Sequence, residues 1–217
     1  MRIIVGISGA SGSIYGYTLL QRLRRNADIE VHLIMTRSAE RTAHLEMGAG
    51  ASDFRSLAHF HYPLEDVGSR LASGSFLTGG MVIAPCSIHS MSSIAAGLSS
   101  NLLLRAADVC LKERRKLILM VRETPFHLGH LRSMLALTEM GAIVAPPVPG
   151  FYQQPKSVQD IVDHSVERVL DLIGIPSPGA LRWNGKSAQA GESDSTPGPD
   201  QPGPDQPAQD QPAKDRR

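Results

Sequence analysis

Cysteine is nearly missing from this chain. Only Cys86 and Cys110 occur among 217 residues, too few for a disulfide framework or a thiolate metal centre, so a reducing compartment is expected. An excess of either charge is missing too: 22 Lys and Arg stand against 21 Asp and Glu, a formal net charge of +1. The basic residues are dispersed, which argues against nucleic acid or a membrane surface as an electrostatic partner. No stretch nears the roughly 18 consecutive apolar residues of a membrane helix. The first apolar run, Ile3-Ile4-Val5, is short and enters a glycine turn at once, unlike a signal peptide. His44, His59 and His61 lie near one another in sequence but match no metal-ligand spacing. A soluble cytoplasmic protein without a metal is the expectation.

What is present is a chain rich enough in apolar residues, 41%, for one substantial core. Apolar runs at Ile3–Ile7, Glu30–Met35, Met81–Ala84, Leu117–Val121 and Ile143–Ala145 read as buried strands. Between them lie segments with helical spacing. One runs to about Arg25, others span Ser38–Met47, Met91–Ala95, Leu102–Arg115 and Ser157–Ile173, and one is expected to turn Leu128, Leu131, Met134 and Leu135 inward. Ala49–Ser75 has no clear period. Alternating strands and helices predict a three-layer α/β fold with a mainly parallel sheet. Beyond about Trp183 the composition turns to Pro, Gly, Asp, Gln and Ser, with Asp-Gln-Pro recurring at Asp200, Asp205 and Asp210. Such a stretch cannot offset its chain entropy by burial. The expected division is a folded domain over 1–185 and a disordered tail over 186–217.

The chemistry is concentrated where strands end. Gly6-Ile7-Ser8-Gly9-Ala10-Ser11-Gly12-Ser13 follows the first strand and opens a helix, the layout that offers backbone N–H groups to a phosphate. Its glycines depart from the G-x-G-x-x-G dinucleotide pattern, and the second strand ends in Thr36-Arg37 without a carboxylate for a ribose diol. A small hydroxyl beside an arginine favours the phosphate monoester of FMN over NAD, with NADP left open. A tight strand-to-helix connection without a ligand would look the same. The third strand enters Pro85-Cys86-Ser87-Ile88-His89-Ser90, where Ser87 and Ser90 can hold a cofactor or merely cap a helix. The fourth ends in Arg122-Glu123-Thr124-Pro125, either a reactive pair or a local ion pair.

With these motifs in order, residues 2–183 resemble the UbiX/Pad family of flavin prenyltransferases. Further matches are Arg105-Ala106-Ala107-Asp108-Val109, Leu111-Lys112-Glu113-Arg114-Arg115 and Pro149-Gly150-Phe151-Tyr152. The resemblance implies a Rossmann-like flavoprotein fold and transfer of a dimethylallyl group from dimethylallyl monophosphate to N5 and C6 of reduced FMN. The product would serve UbiD-type decarboxylases, and the assembly would be a homo-oligomer, often a dodecamer, with sites at subunit junctions. It further implies FMN contacts at Gly9, Ala10, Ser11, Thr36, Ser87, Ile88, His89, Ser90 and Arg122. Donor contacts are implied at Lys112, Arg122, Tyr152 and Arg168, acid/base work at Glu123, and further active-site places at Ser11, Glu46 and Arg105. Where many members carry lysine and threonine, this chain has His89 and Ser90. The competing readings are an FMN-binding carrier subunit of a decarboxylase and an FMN-dependent cysteine-type decarboxylase.

Overall fold

The computed structural model describes residues 1–176; the proposed tail, and the end of the proposed domain, lie outside the described residues. Six strands form one sheet: β1 (Arg2–Ile7), β2 (Glu30–Met35), β3 (Phe60–Tyr62), β4 (Gly80–Cys86), β5 (Lys116–Val121) and β6 (Ile143–Val144). Their order is β3-β2-β1-β4-β5-β6 and every pairing is parallel. Seven α-helices accompany them: α1 (Ser13–Arg24), α2 (Arg37–Met47), α3 (Ala51–Arg55), α4 (Ile88–Ala95), α5 (Leu102–Lys112), α6 (Leu128–Glu139) and α7 (Val158–Ile173).

A parallel strand alternates its side chains between two covered faces, so nearly every position is apolar. Ile3, Val5 and Ile7 of β1, with Val82 and Ala84 of β4, face Leu19, Leu20 and Leu23 of α1 and Val166, Val169 and Leu170 of α7. Ile4, Met81 and Ile83, from the opposite parity, face Met91 of α4 and Leu103, Ala107 and Cys110 of α5. The two cores make three layers, as the alternation of elements predicts. Among the described residues no helix is long and apolar enough to cross a membrane, and no group of three or more His, Cys, Asp or Glu is placed to hold a metal.

Two expectations are corrected. Helix α5 ends at Lys112 rather than Arg115, because Arg114 adopts the left-handed φ of 54°. Helix α6 does not turn its leucines inward: Leu128, Leu131 and Leu135 are 59%, 51% and 60% exposed, and Leu137 is the residue it buries. Sequence period shows that a helix has an apolar stripe. It does not show whether that stripe meets its own core or another surface.

Candidate active site

The strand order reverses between β1 and β4, and open parallel sheets bind ligands at such a switch point, beyond the carboxyl ends of the strands. Ser8, fully buried there, binds the two loops together. Its Oγ donates to the Pro85 carbonyl at 2.9 Å and accepts the Ser87 N–H at 2.7 Å. A third junction joins them where the Arg122 N–H donates to the Cys86 carbonyl at 3.1 Å. Ser8 received no role from the sequence, where it reads as one more small residue of a glycine turn.

The ends of β2 and β4 both pass into helices capped by hydroxyls. Thr36 Oγ1 accepts the Ala39 N–H and lies 3.0 Å from Ser38 Oγ. Ser87 Oγ accepts the Ser90 N–H at 3.3 Å and lies 3.2 Å from Ser90 Oγ. These hydroxyls, together with His89, line one cleft of about 460 Å³. A second cleft, about 630 Å³, shares Ser87 and His89 and continues past Gly9, Ala10 and Ser11 to Arg122 and Glu123. Ile88 lines this second space as the first residue of α4. Two helix N-termini with four hydroxyls suit a phosphate monoester, and the adjoining space suits the flat remainder of a flavin. Gly9 is needed for closure, since a Cβ would sit 2.5 Å from both Cβ and Oγ of Ser38.

The glycine turn itself differs from a simple phosphate cradle. Gly12 takes the left-handed φ of 102°, and its N–H and that of Ser13 donate to the Glu46 carboxylate at 3.0 and 2.9 Å. A side chain of α2 therefore fills the anion seat at the start of α1. Burial raises the Glu46 pKa, but hydrogen bonds from Ser11, Ser13 and Gly12 outweigh it and hold the carboxyl below its ordinary range. Glu46 and Ser11 are thus joined beside the larger cleft.

Arg122 and Glu123 project into that cleft's lining and are exposed. Among the described residues no ion pair joins them. Glu123 Oε1 instead accepts the neighbouring Thr124 N–H at 3.0 Å, which leaves a second carboxylate oxygen for a ligand. The remaining expected residues lie elsewhere in the chain. Lys112 pairs with Glu113 beside Gly74, at the opposite end of α5 from the Leu103 and Leu104 that line the phosphate cleft. Arg105 donates to the Ala72 carbonyl at 3.2 Å and pairs with Asp108. Tyr152 stands edge-on to His164 of α7 at 6.1 Å, and Arg168 contacts Asp171 at 3.4 Å. None of these four residues is in the lining of the larger cleft, which carries Arg122 and Glu123.

Fold and cleft define an α/β protein of the nucleotide-binding type, with its cleft at the switch point of the sheet. Comparison with known proteins narrows this. The Flavoprotein family profile matches residues 1–170. Flavin prenyltransferase UbiX of Thauera aromatica is 51% identical over 185 residues, covering 85% of this chain and 95% of that protein. A dodecameric FMN-dependent UbiX-like decarboxylase from Escherichia coli O157:H7 has a similar structure, with a TM-score of 0.84 and 46% identity over 85% of this chain and 100% of that one. AnUbiX (PadA1), solved with FMN and dimethylallyl pyrophosphate, gives a TM-score of 0.83 at 42% identity, covering 85% and 98%. The chain belongs to the flavoprotein family and, within it, to the UbiX-type flavin prenyltransferases.

Proposed function

We propose that this enzyme moves a dimethylallyl group from dimethylallyl monophosphate to N5 and C6 of reduced FMN. The observation that carries the reading is the pair of joined clefts, one lined by the hydroxyls of two helix N-termini, the other by Arg122 and Glu123. A similar chain, AnUbiX, was solved with both FMN and dimethylallyl pyrophosphate, which favours transfer over a carrier that binds FMN alone. Thr36, Ser38, Ser87 and Ser90 would hold the FMN phosphate, while Gly9, Ala10, Ser11, Ile88 and His89 would line the rest of the flavin.

Breaking an allylic C–O bond places negative charge on the departing phosphate. Arg122, Lys112, Tyr152 and Arg168 supply the cations and the hydroxyl that stabilise it. Glu123 can give a proton to that phosphate and take one from the carbon that has been alkylated. Glu46, held ionised by its hydrogen bonds, fixes the turn that carries Ser11. Arg105 orients the end of α5 through its bond to Ala72.

Because Lys112, Tyr152 and Arg168 are not in the lining of the cleft that holds Arg122 and Glu123, we place the complete donor site between copies of a homo-oligomer. The exposed leucines of α6 and the exposed Val148, Phe151 and Val158 supply apolar surface for assembly. A dodecamer, the state of the similar Escherichia coli O157:H7 protein, is the proposed form, working in the cytoplasm and handing its product to a UbiD-type decarboxylase.

Exchange of Glu123 tests the assignment. Glu123→Gln is expected to bind FMN within about twofold of the parent, while turnover falls by about 10²-fold or more, as loss of a positioned general acid/base does. Full turnover in that variant would remove Glu123 from the chemistry.

A further inference from the structure

The phosphate cleft has a neighbour that the proposed reaction does not use. Over the carboxyl ends of β2 and β3 lies a second space of about 320 Å³, lined by Met35, Glu40, Arg55, His61 and Tyr62. It shares three lining residues with the phosphate cleft: Arg37, Leu64 and Glu65. Across this shared wall Arg37 Nη2 donates to Glu65 Oε1 at 3.0 Å. A second ion pair, Arg55 with Glu40 at 3.0 Å, stands within the neighbouring space.

This location has a chemical meaning. In a parallel sheet of this strand order, dinucleotides lie along the crevice outside the carboxyl ends of the strands, so an extension from the phosphate seat at the end of β2 runs toward β3. A flavin dinucleotide seated with its first phosphate among Thr36, Ser38, Ser87 and Ser90 would carry its second phosphate through the wall that Arg37 and Glu65 form. The loop bearing Glu65 is fixed on both sides. The Leu64 carbonyl accepts the Leu102 N–H at the start of α5 at 2.8 Å, and the Asp66 N–H donates to the Pro63 carbonyl at 3.2 Å. The carboxylate is thus carried on an anchored turn.

We propose that Glu65, bridged to Arg37, determines which flavin the site accepts: FMN fits, whereas FAD must place a second phosphate against the Glu65 carboxylate and break the bridge. The same bridge occupies the Arg37 guanidinium, the group best able to pair with that phosphate. The inference rests on FMN being the prenyl acceptor and names the residue that separates it from the dinucleotide. The facing charges are Arg37, Glu65, Glu40 and Arg55, with His61 at the rim, and their signs balance when the two pairs are intact.

Calorimetric titration of the full chain with FMN and with FAD, at low and at raised salt, tests this. Both groups of the bridge are largely exposed, so the effect is moderate and screened by salt. Glu65→Ala is expected to lower the ratio of FAD to FMN dissociation constants by roughly two- to fivefold at low salt, with FMN affinity little changed. Arg37→Ala is expected to raise that ratio, because it leaves the carboxylate unpaired. An unchanged ratio in Glu65→Ala, or an equal fall in both variants, overturns the proposal while FMN binding by the parent keeps the acceptor assignment. Failure of the parent to bind FMN removes both.

Discussion

His32 is sealed in the interior of the sheet, with Nε2 2.8 Å from Glu30 Oε1 and Nδ1 2.9 Å from the Tyr62 hydroxyl. Phe60, Tyr62 and Phe76 surround its ring, and Arg70 stands over Phe60 and Phe76. Burial lowers its pKa below the ordinary 6.5, and Arg70 and Arg2 add to this, while Glu30 opposes it less strongly. A group with a lowered folded pKa binds more protons when unfolded. Its stabilising contribution is therefore complete above about 6.5 and declines as pH falls toward the folded value. Denaturant unfolding is expected to show stability rising from about pH 5 to 7, with a shallower slope in His32→Asn; an unchanged slope would exclude His32 as its source. Cys86 and Cys110 show the opposite sense, since burial pushes both thiols up to about 12. At that value a buried thiol such as Cys86 holds almost no thiolate near neutrality. Single-residue roles were legible only in part. Ser87 and Thr36 stand where a strand turns into a helix, and local pattern marks that. The Glu46 carboxylate meets Gly12 and Ser13 across more than 30 residues of chain, and the buried Ser8 bridge joins loops 77 residues apart. Neither pairing has a periodicity.

Helices and strands were more legible than their surfaces. β1, β2, β4 and β5 each carry five or more consecutive buried residues, nearly all of them apolar, and such runs stand out. β3 was missed because it is three residues long, at the edge of the sheet, and partly exposed. α6 is the instructive element. Its stripe of Leu128, Leu131 and Leu135 faces outward, and Leu137, on the other side, is fully buried. Leu137→Ala is expected to cost about 2–5 kcal/mol of stability, as do other large-to-small changes in packed cores. Leu131→Glu should leave the fold intact and break the assembly, seen as a smaller species by light scattering with native circular dichroism. An unchanged assembly size would show that α6 does not face another copy.

At the scale of the molecule, a 3-2-1-4-5-6 parallel sheet converges its loops on one edge, and that convergence makes the proposed FMN seat. The alternation of strands and helices carried this architecture, since right-handed crossovers leave few other arrangements. What it could not carry is that Lys112, Tyr152 and Arg168 are not in the lining of the cleft that holds Glu123, because the order of one chain does not show which residues share a cleft. The most direct test of the whole account is anaerobic incubation of the purified protein with reduced FMN and dimethylallyl monophosphate, with mass analysis of the released flavin. A gain of one C5 prenyl unit, less the proton displaced, is the predicted result. Unmodified FMN, from protein shown to bind both ligands, would contradict prenyl transfer as this chain's reaction.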